Sequence, residues 1–374
     1  MRLAVILALC ASAFAQVDTT PRPAPDIPKD VVWLDQGAPV PHSLKDYRGK
    51  VVLIDFWEYT CINCIRDFAV VKRWYAKYHP YGFEVLGVHF GEFQIGFNPE
   101  NVKRAARQFR LPWPVIADVK GSTWRDFYSN VWPNRYLVDP SGSIVMQVGG
   151  EGNNRVMEKQ IHDLLVKHHP EVKSIPLDPD EATFAPQCGS PTQETYVGKW
   201  LDRGSVQNSG AYHGKEGTRE FRSDKPPRDG GVVLGGKWAV IQEAAVSGGT
   251  DGSAALRYHA RSVYAVLSTN CSLPGDGKPS KDAAESVCLA PVRVYLEQDD
   301  KPLARADAGR DVQFDAKGAY LDVADPRMYD LVKNGDEEAP LKNRLPEHVL
   351  TLKPQTQGLV LHSFTYGNNC QQNF

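Results

Sequence analysis

The sequence has no basic surplus: 43 lysines and arginines stand against 45 aspartates and glutamates, for a formal net charge of −2. Nucleic acid is thereby excluded as the main partner, because a phosphate-binding surface needs a cationic excess and no Lys/Arg block stands out. Beyond the N-terminal fifteen residues no segment is apolar enough to cross a bilayer, which takes about 20 consecutive apolar residues. There is no internal repeat. Cysteine is scarce, with seven in 374 residues, and the only closely spaced pair is Cys61 and Cys64. A paired-cysteine zinc site wants a second Cys-x-x-Cys, and none exists, so no metal is expected.

What is present begins with an export signal over residues 1–15. Arg2 supplies a short positive region, Leu3 to Leu9 an apolar stretch, and Ala13-Phe14-Ala15 a small-x-small cleavage site, so the mature chain is expected to start at Gln16. The rival readings are a membrane anchor, for which the run is too short, and lipidation at Cys10, for which Leu9 is not the small residue required. Export places the protein in the periplasm or outside the cell. Removing Cys10 leaves six cysteines, an even set that suits an oxidising compartment.

The length suits two domains. Residues 16–28, rich in Pro and Asp, read as a tether. Over residues 29–173 strand and helix signals alternate. Val51-Val52-Leu53-Ile54-Asp55-Phe56 is an apolar β run, followed by a helical stretch carrying Ile65, Phe68, Trp74, Tyr75 and Tyr78. Phe83 to Phe90 is a second β run. Asn98 is placed to cap a helix starting at Pro99, and Pro140-Ser141-Gly142 is a turn between two strands. A last helix is expected from about Arg155 to His168. This order predicts an α/β domain with a central mixed sheet flanked by helices. Residues 174–189 read as a linker. Over 190–374 short β runs recur between turn residues, among them 237–241, 263–267, 292–296, 348–352 and 359–366, which predicts an all-β, jelly-roll-like sandwich.

The chemistry sits at Cys61-Ile62-Asn63-Cys64, between a β run and a helix. The first sulfur falls at the helix N-terminus, where unpaired amides and the macrodipole stabilise a thiolate. The second lies one turn on, within reach to close a disulfide. Cys61 would attack a substrate disulfide and Cys64 would resolve the mixed disulfide. A static structural disulfide, half a zinc site and chance are the bland readings. The setting of strand, aromatic, pair and helix favours redox chemistry.

Asp55-Phe56-Trp57-Glu58-Tyr59-Thr60-Cys61-Ile62-Asn63-Cys64-Ile65-Arg66 resembles the active-site segment of the thioredoxin superfamily. It is most similar to the TlpA/DipZ-type branch of extracytoplasmic thiol–disulfide oxidoreductases. Gly49-Lys50-Val51-Val52-Leu53, Trp132-Pro133-Asn134-Arg135-Tyr136-Leu137-Val138-Asp139 and Gly150-Glu151-Gly152 fit the same branch, as does an inserted helix between the second and third strands. In the DipZ-type proteins a β-sandwich resembling a carbohydrate-binding module follows. Here 190–198 resembles its entry, and Gly309-Arg310-Asp311-Val312 and Phe364-Thr365-Tyr366-Gly367 resemble its later strands.

The resemblance implies roles. Asp55 matches the buried acid that accepts a proton from the resolving thiol, against a partly exposed strand-end Asp as the bland reading. Pro133 matches the cis-proline beside the sulfurs, and the backbone of Trp132 would pair with a substrate peptide. Trp57, Ile62 and Asn63 complete the candidate substrate-binding set, although Trp57 reads equally well as a core aromatic. Asp67 stands where some relatives carry a functional Glu, or is a solvated helix residue. Glu58 reads as an exposed loop acid. Ala69 stands where many thioredoxins have a kinking proline. No cofactor is expected beyond a Cys61–Cys64 redox disulfide. The expected partners are disulfide-bearing extracytoplasmic proteins and a separate membrane electron donor, with a glycan as the ligand of the sandwich. Cys271 with Cys288, and Cys188 with Cys370, are one of three pairings open to those four cysteines.

Two other functions compete. A thiol peroxidase would carry Pro-x-x-x-Thr-x-x-Cys, and neither Cys61 nor Cys64 has a Thr three residues before it. A non-enzymatic glycan- or envelope-binding protein would stack sugars on Trp200, Trp238, Tyr258 or Tyr264, which read more simply as core aromatics.

Overall fold

The computed structural model describes residues 16–34, 42–179, 190–199, 205–208, 217–222, 225–269, 291–334 and 345–368. The chain splits into two compact units, Met1–Gly91 with Val102–Thr183, and Glu92–Asn101 with Phe184–Phe374. The signal residues 1–15, Trp200, and Cys188, Cys271, Cys288 and Cys370 lie outside the described residues.

The first unit is built on the strands β1 (Gln16–Asp18), β2 (Arg22–Pro23), β3 (Val32–Leu34) and β4 (Val51–Trp57), the helix α1 (Ile62–Tyr78), and β5 (Phe83–His89). After α2 (Pro99–Gln108) come β6 (Val115–Ala117), α3 (Ser122–Asp126), β7 (Asn134–Val138), β8 (Ser143–Gly149) and α4 (Asn154–Val166). The sheet order is β1-β8-β7-β4-β5-β6-β3, with β2 also on β8. β4, β5 and β6 run parallel, and β7, β8 and β3 antiparallel to their neighbours. β4 lies in the middle and is buried at every residue, as expected of a strand covered on both faces. β8 alternates between half-buried and buried residues, the period of a strand with one wetter face.

α1 buries Cys64, Asp67, Phe68, Val71, Trp74 and Tyr78, a stripe at helical spacing. One member of that stripe is a carboxylate, and a charge there demands a partner. The Asn98 side chain accepts from the Glu100 amide at 3.0 Å, the cap expected for a helix opening at Pro99.

The expected tether is corrected. Gln16–Asp18 pairs antiparallel with β8, and Arg22–Pro23 pairs with Ile144 and Ser143. Arg22 bonds Asp18 and Gln147, and Ile27 is buried in the core. Pro23 sits in the edge strand β2, where a missing amide is tolerated. The start of the expected linker is also docked. Asp178 pairs with Lys77 at 2.6 Å and with Arg73 at 3.2 Å, and its amide donates to Glu158.

The second unit is an antiparallel sandwich. Its strands are β9 (Thr195–Tyr196), β10 (Arg219–Phe221), β11 (Val232–Val240), β12 (Ala245–Ser247), β13 (Ser253–His259), β14 (Ser262–Thr269) and β15 (Val292–Gln298). They continue with β16 (Lys301–Pro302), β17 (Gln313–Asp315), β18 (Gly318–Val323), β19 (Arg327–Lys333), β20 (Glu347–Pro354) and β21 (Leu359–Gly367). The path runs β17-β18-β15-β20-β13-β11-β12-β21-β14-β19. β11 belongs to both layers: Val232–Gly235 pairs with β13, and Gly236–Val240 with β10 and β12. The corner falls at Gly236, whose φ is +72° and where a Cβ would come within 2.5 Å of the Asp251 carbonyl oxygen. Only glycine fits there.

Trp238 and Tyr258 are fully buried in this core, so neither can stack on a sugar. Gly309-Arg310-Asp311-Val312, expected in a strand, precedes β17 as a turn closed by the Val312 amide on the Gly309 carbonyl. Among the described residues no helix is long and apolar enough to cross a membrane, and no group of His, Cys, Asp and Glu could hold a metal ion.

Candidate active site

β4 ends at Trp57 and the chain turns through Glu58–Cys61, with the Cys61 amide donating to the Glu58 carbonyl at 3.2 Å. Cys61 is the N-cap of α1, and its Sγ accepts from the Cys64 amide at 3.4 Å. The first amides of a helix lack carbonyl partners, so negative charge on that sulfur is favoured. Both cysteines are thiols; Cys61 is partly exposed and Cys64 buried. Burial pushes the Cys64 thiol well above its usual range, the Cys61 sulfur adds to the rise, and the charge of Asp55 adds further.

Asp55 lies in β4, opposite Gly87 of β5 and Arg135 of β7. Burial pushes its carboxyl up to about 8, the charge of Asp67 pushes the same way, and Arg135 opposes both. Its Oδ1 has no hydrogen-bond partner. Asp67, one turn beyond Cys64, is also buried and raised by desolvation. Arg135, fully shielded from solvent, donates to Asp67 Oδ1 at 3.0 Å, to Asn154 Oδ1 at 2.9 Å and to the Gly152 carbonyl.

On the other side of the dipeptide, Arg66 reaches Asn63 Oδ1 at 3.4 Å and Glu151 at 3.7 Å. Burial pushes Glu151 up to about 7, with Arg66 opposing. The Trp132–Pro133 peptide bond is cis, and the Pro133 carbonyl accepts from the Gly150 amide. The Trp132 ring stacks on Trp124, with centroids 4.6 Å apart.

One expectation changes. Glu58 is not an exposed loop acid but fully buried, its side chain bonded to Thr60 and facing His89. Trp57 is likewise fully buried, packed edge-on against Phe68 and His89, which matches its reading as a core aromatic. Of the two readings of Asp67, the solvated one is excluded. Ile62 is buried, and Asn63 and Trp132 are half-buried.

Arg135, His89 and Glu151 carried no role in the sequence reading. Arg135 left a trace: an arginine inside the apolar run Tyr136-Leu137-Val138 of a central strand requires a buried acid. His89 and Glu151 left none, since their surroundings come from distant segments.

A dithiol at a helix N-terminus, a buried acid beneath it and a cis-proline beside the next strand define the thioredoxin class of redox proteins. The family described as AhpC/TSA matches residues 22–147, and the family described as thioredoxin like C-terminal domain matches residues 192–367. Protein DipZ of Mycobacterium tuberculosis is 36% identical over 283 residues, 73% of this chain. The alignment covers 39% of DipZ's own length. Thiol-disulfide oxidoreductase ResA of Geobacillus kaustophilus is 27% identical over 33% of this chain and 68% of its own. Among solved structures, a thiol-disulfide isomerase from Corynebacterium glutamicum matches 38% of this chain and 96% of its own, at 24% identity and a TM-score of 0.32. These likenesses support a thiol–disulfide oxidoreductase of the TlpA/DipZ type.

Proposed function

We propose that the protein is an exported reductase of protein disulfides, acting in the periplasm or outside the cell. The observation that carries this reading is the unequal pair of thiols: Cys61 partly exposed with its sulfur on a helix-start amide, and Cys64 buried beside an acid of raised pKa. The Cys61 thiolate attacks one sulfur of a substrate disulfide, expelling the other as a thiolate that takes up a proton. Asp55 then accepts the Cys64 proton, and the Cys64 sulfur attacks Cys61 Sγ. The second substrate thiolate leaves, Cys61 and Cys64 are joined, and two electrons have passed to the substrate. An acid that titrates near 8 suits this proton transfer near neutral pH.

On this reading the cis Trp132–Pro133 peptide is the substrate-facing element beside the dithiol, and Trp132, Ile62 and Asn63 contribute the surface for the substrate chain, with the Trp132 backbone pairing as an edge strand would. No cofactor is needed beyond the dithiol. Regeneration requires an external thiol-type reductant, which we assign to a separate membrane protein. A glycan at the sandwich would serve to localise the enzyme.

The test is equilibration of the Cys61–Cys64 pair in glutathione or dithiothreitol buffers, with Cys61→Ser as control. A reversible couple near the thioredoxin potential of about −270 mV supports the reductase, whereas a value near −120 mV points to an oxidase. Absence of a Cys61-dependent couple overturns the reading.

A further inference from the structure

Behind the nucleophile lies a second buried ionisable pair that the exchange reaction does not use. Glu58, three residues before Cys61, and His89, the last residue of β5, are both shut off from solvent. Glu58 Oε2 accepts from the Thr60 amide at 2.5 Å and from the Thr60 hydroxyl, while its carbonyl accepts from the Cys61 amide. Its side chain and backbone together close the turn that delivers Cys61 to α1. His89 Nε2 accepts from the Tyr59 amide at 3.3 Å, and its ring stacks on Tyr59 with centroids 5.4 Å apart. One histidine and one glutamate thus grip three consecutive residues, 59, 60 and 61.

The two side chains also face each other. Glu58 Oε1 lies 3.6 Å from His89 Nε2, and neither Glu58 Oε1 nor His89 Nδ1 has a hydrogen-bond partner. A buried carboxylate oxygen with no donor is costly, and imidazole is the ionisable group that faces it. The geometry points to a division of labour.

We propose that Glu58 and His89 are positioning residues for the nucleophile: together they hold the Glu58–Cys61 turn, and the acidic side chain of Glu58, only partly offset by the His89 ring it faces at 3.6 Å, restrains the reactivity of Cys61. The proposal rests on Cys61 being the nucleophile. It implies that the protein holds back its own thiolate, offsetting part of the stabilisation that the helix start provides.

The test uses the full chain with Glu58→Gln, Glu58→Asp and His89→Gln, and reads two quantities: the rate of Cys61 alkylation by iodoacetamide at pH 7, and the dithiol–disulfide equilibrium with glutathione. Glu58→Gln keeps an acceptor for the Thr60 amide but removes the charge; alkylation is expected to rise about threefold or more, with the equilibrium moving toward the dithiol. Glu58→Asp, which restores the charge, returns both toward wild type. His89→Gln keeps an acceptor for the Tyr59 amide but removes the imidazole, and is expected to shift both quantities the opposite way, which keeps the test decisive should Glu58→Gln fail to fold. Folded variants whose melting temperatures fall while rate and equilibrium stay at wild-type values overturn the proposal. Loss of the underlying reading shows separately, as alkylation and a redox couple that survive in Cys61→Ser.

Discussion

The guanidinium of Arg135 sits 3.0 Å from the carboxylate of Asp67, and both side chains are buried. Asp55 shares this interior and feels both charges. Two acids therefore share one guanidinium, and the geometry commits it to Asp67. Asp55, left without that partner, ionises only near 8, so near neutral pH its ionised fraction can accept the Cys64 proton and must release it again in each turnover.

Removing Arg135 leaves Asp67 buried and unmatched. Arg135→Met is expected to lose about 3–5 kcal/mol of stability, the cost typical of breaking a buried pair from one side. The double variant Asp67→Leu with Arg135→Met is expected to recover most of it, because both charges are then gone. Denaturant unfolding of the three chains measures the difference; equal losses in single and double variants would show that the ion pair is not the cause.

Asp55 gives a prediction whose sign depends on pH. Its carboxyl ionises near 8 in the folded protein against an ordinary 3.8, so the folded state favours the protonated form. Stability from this group is fully present below about pH 4 and is lost as pH rises through about 8. Asn cannot ionise, so Asp55→Asn is expected to be more stable than wild type at pH 8–9, by up to about 5 kcal/mol, with the gap closing toward pH 4. Thermal unfolding of the reduced proteins across that range checks it. The same variant is expected to slow resolution of a preformed mixed disulfide about 10- to 100-fold at pH 7, with a smaller deficit at alkaline pH.

The two cysteines are expected to fail differently. Cys64→Ser retains the attacking sulfur but cannot resolve, so it accumulates a mixed disulfide with a model disulfide protein. Cys61→Ser accumulates none, because the remaining sulfur is buried. Non-reducing electrophoresis after acid quench separates the outcomes, and trapping by Cys61→Ser would reverse the assigned roles.

In the sandwich, Gly236→Ala must place a Cβ 2.5 Å from the Asp251 carbonyl at a φ of +72°. A loss of about 2 kcal/mol or more is expected, combining left-handed strain with a backbone clash. Urea unfolding of the variant is the check, and a loss below about 0.5 kcal/mol would mean the β11 corner is not under that constraint.

Much of this protein is local. The continuous apolar run of β4, the helical stripe of α1, the cap at Asn98 and the β runs of the sandwich follow from side-chain periodicity and turn chemistry, which act over a few residues. The Cys61–Cys64 spacing falls in the same category, since one helical turn separates the sulfurs whatever surrounds them. Tertiary structure alone decided the rest. Residues 16–28 have tether-like composition, yet edge pairing with β8 makes strands of Gln16–Asp18 and Arg22–Pro23. Glu58 reads as a surface acid because charged residues usually are, and Asp67 reads equally as a surface acid or as the counterpart of a functional Glu; Thr60 and His89 lie against the first, and Arg135, 68 residues away in sequence, is buried with the second and makes its burial tolerable. The thiol-bearing turn was thus determined by sequence, but the electrostatic setting of its acids depends on segments brought together only by folding.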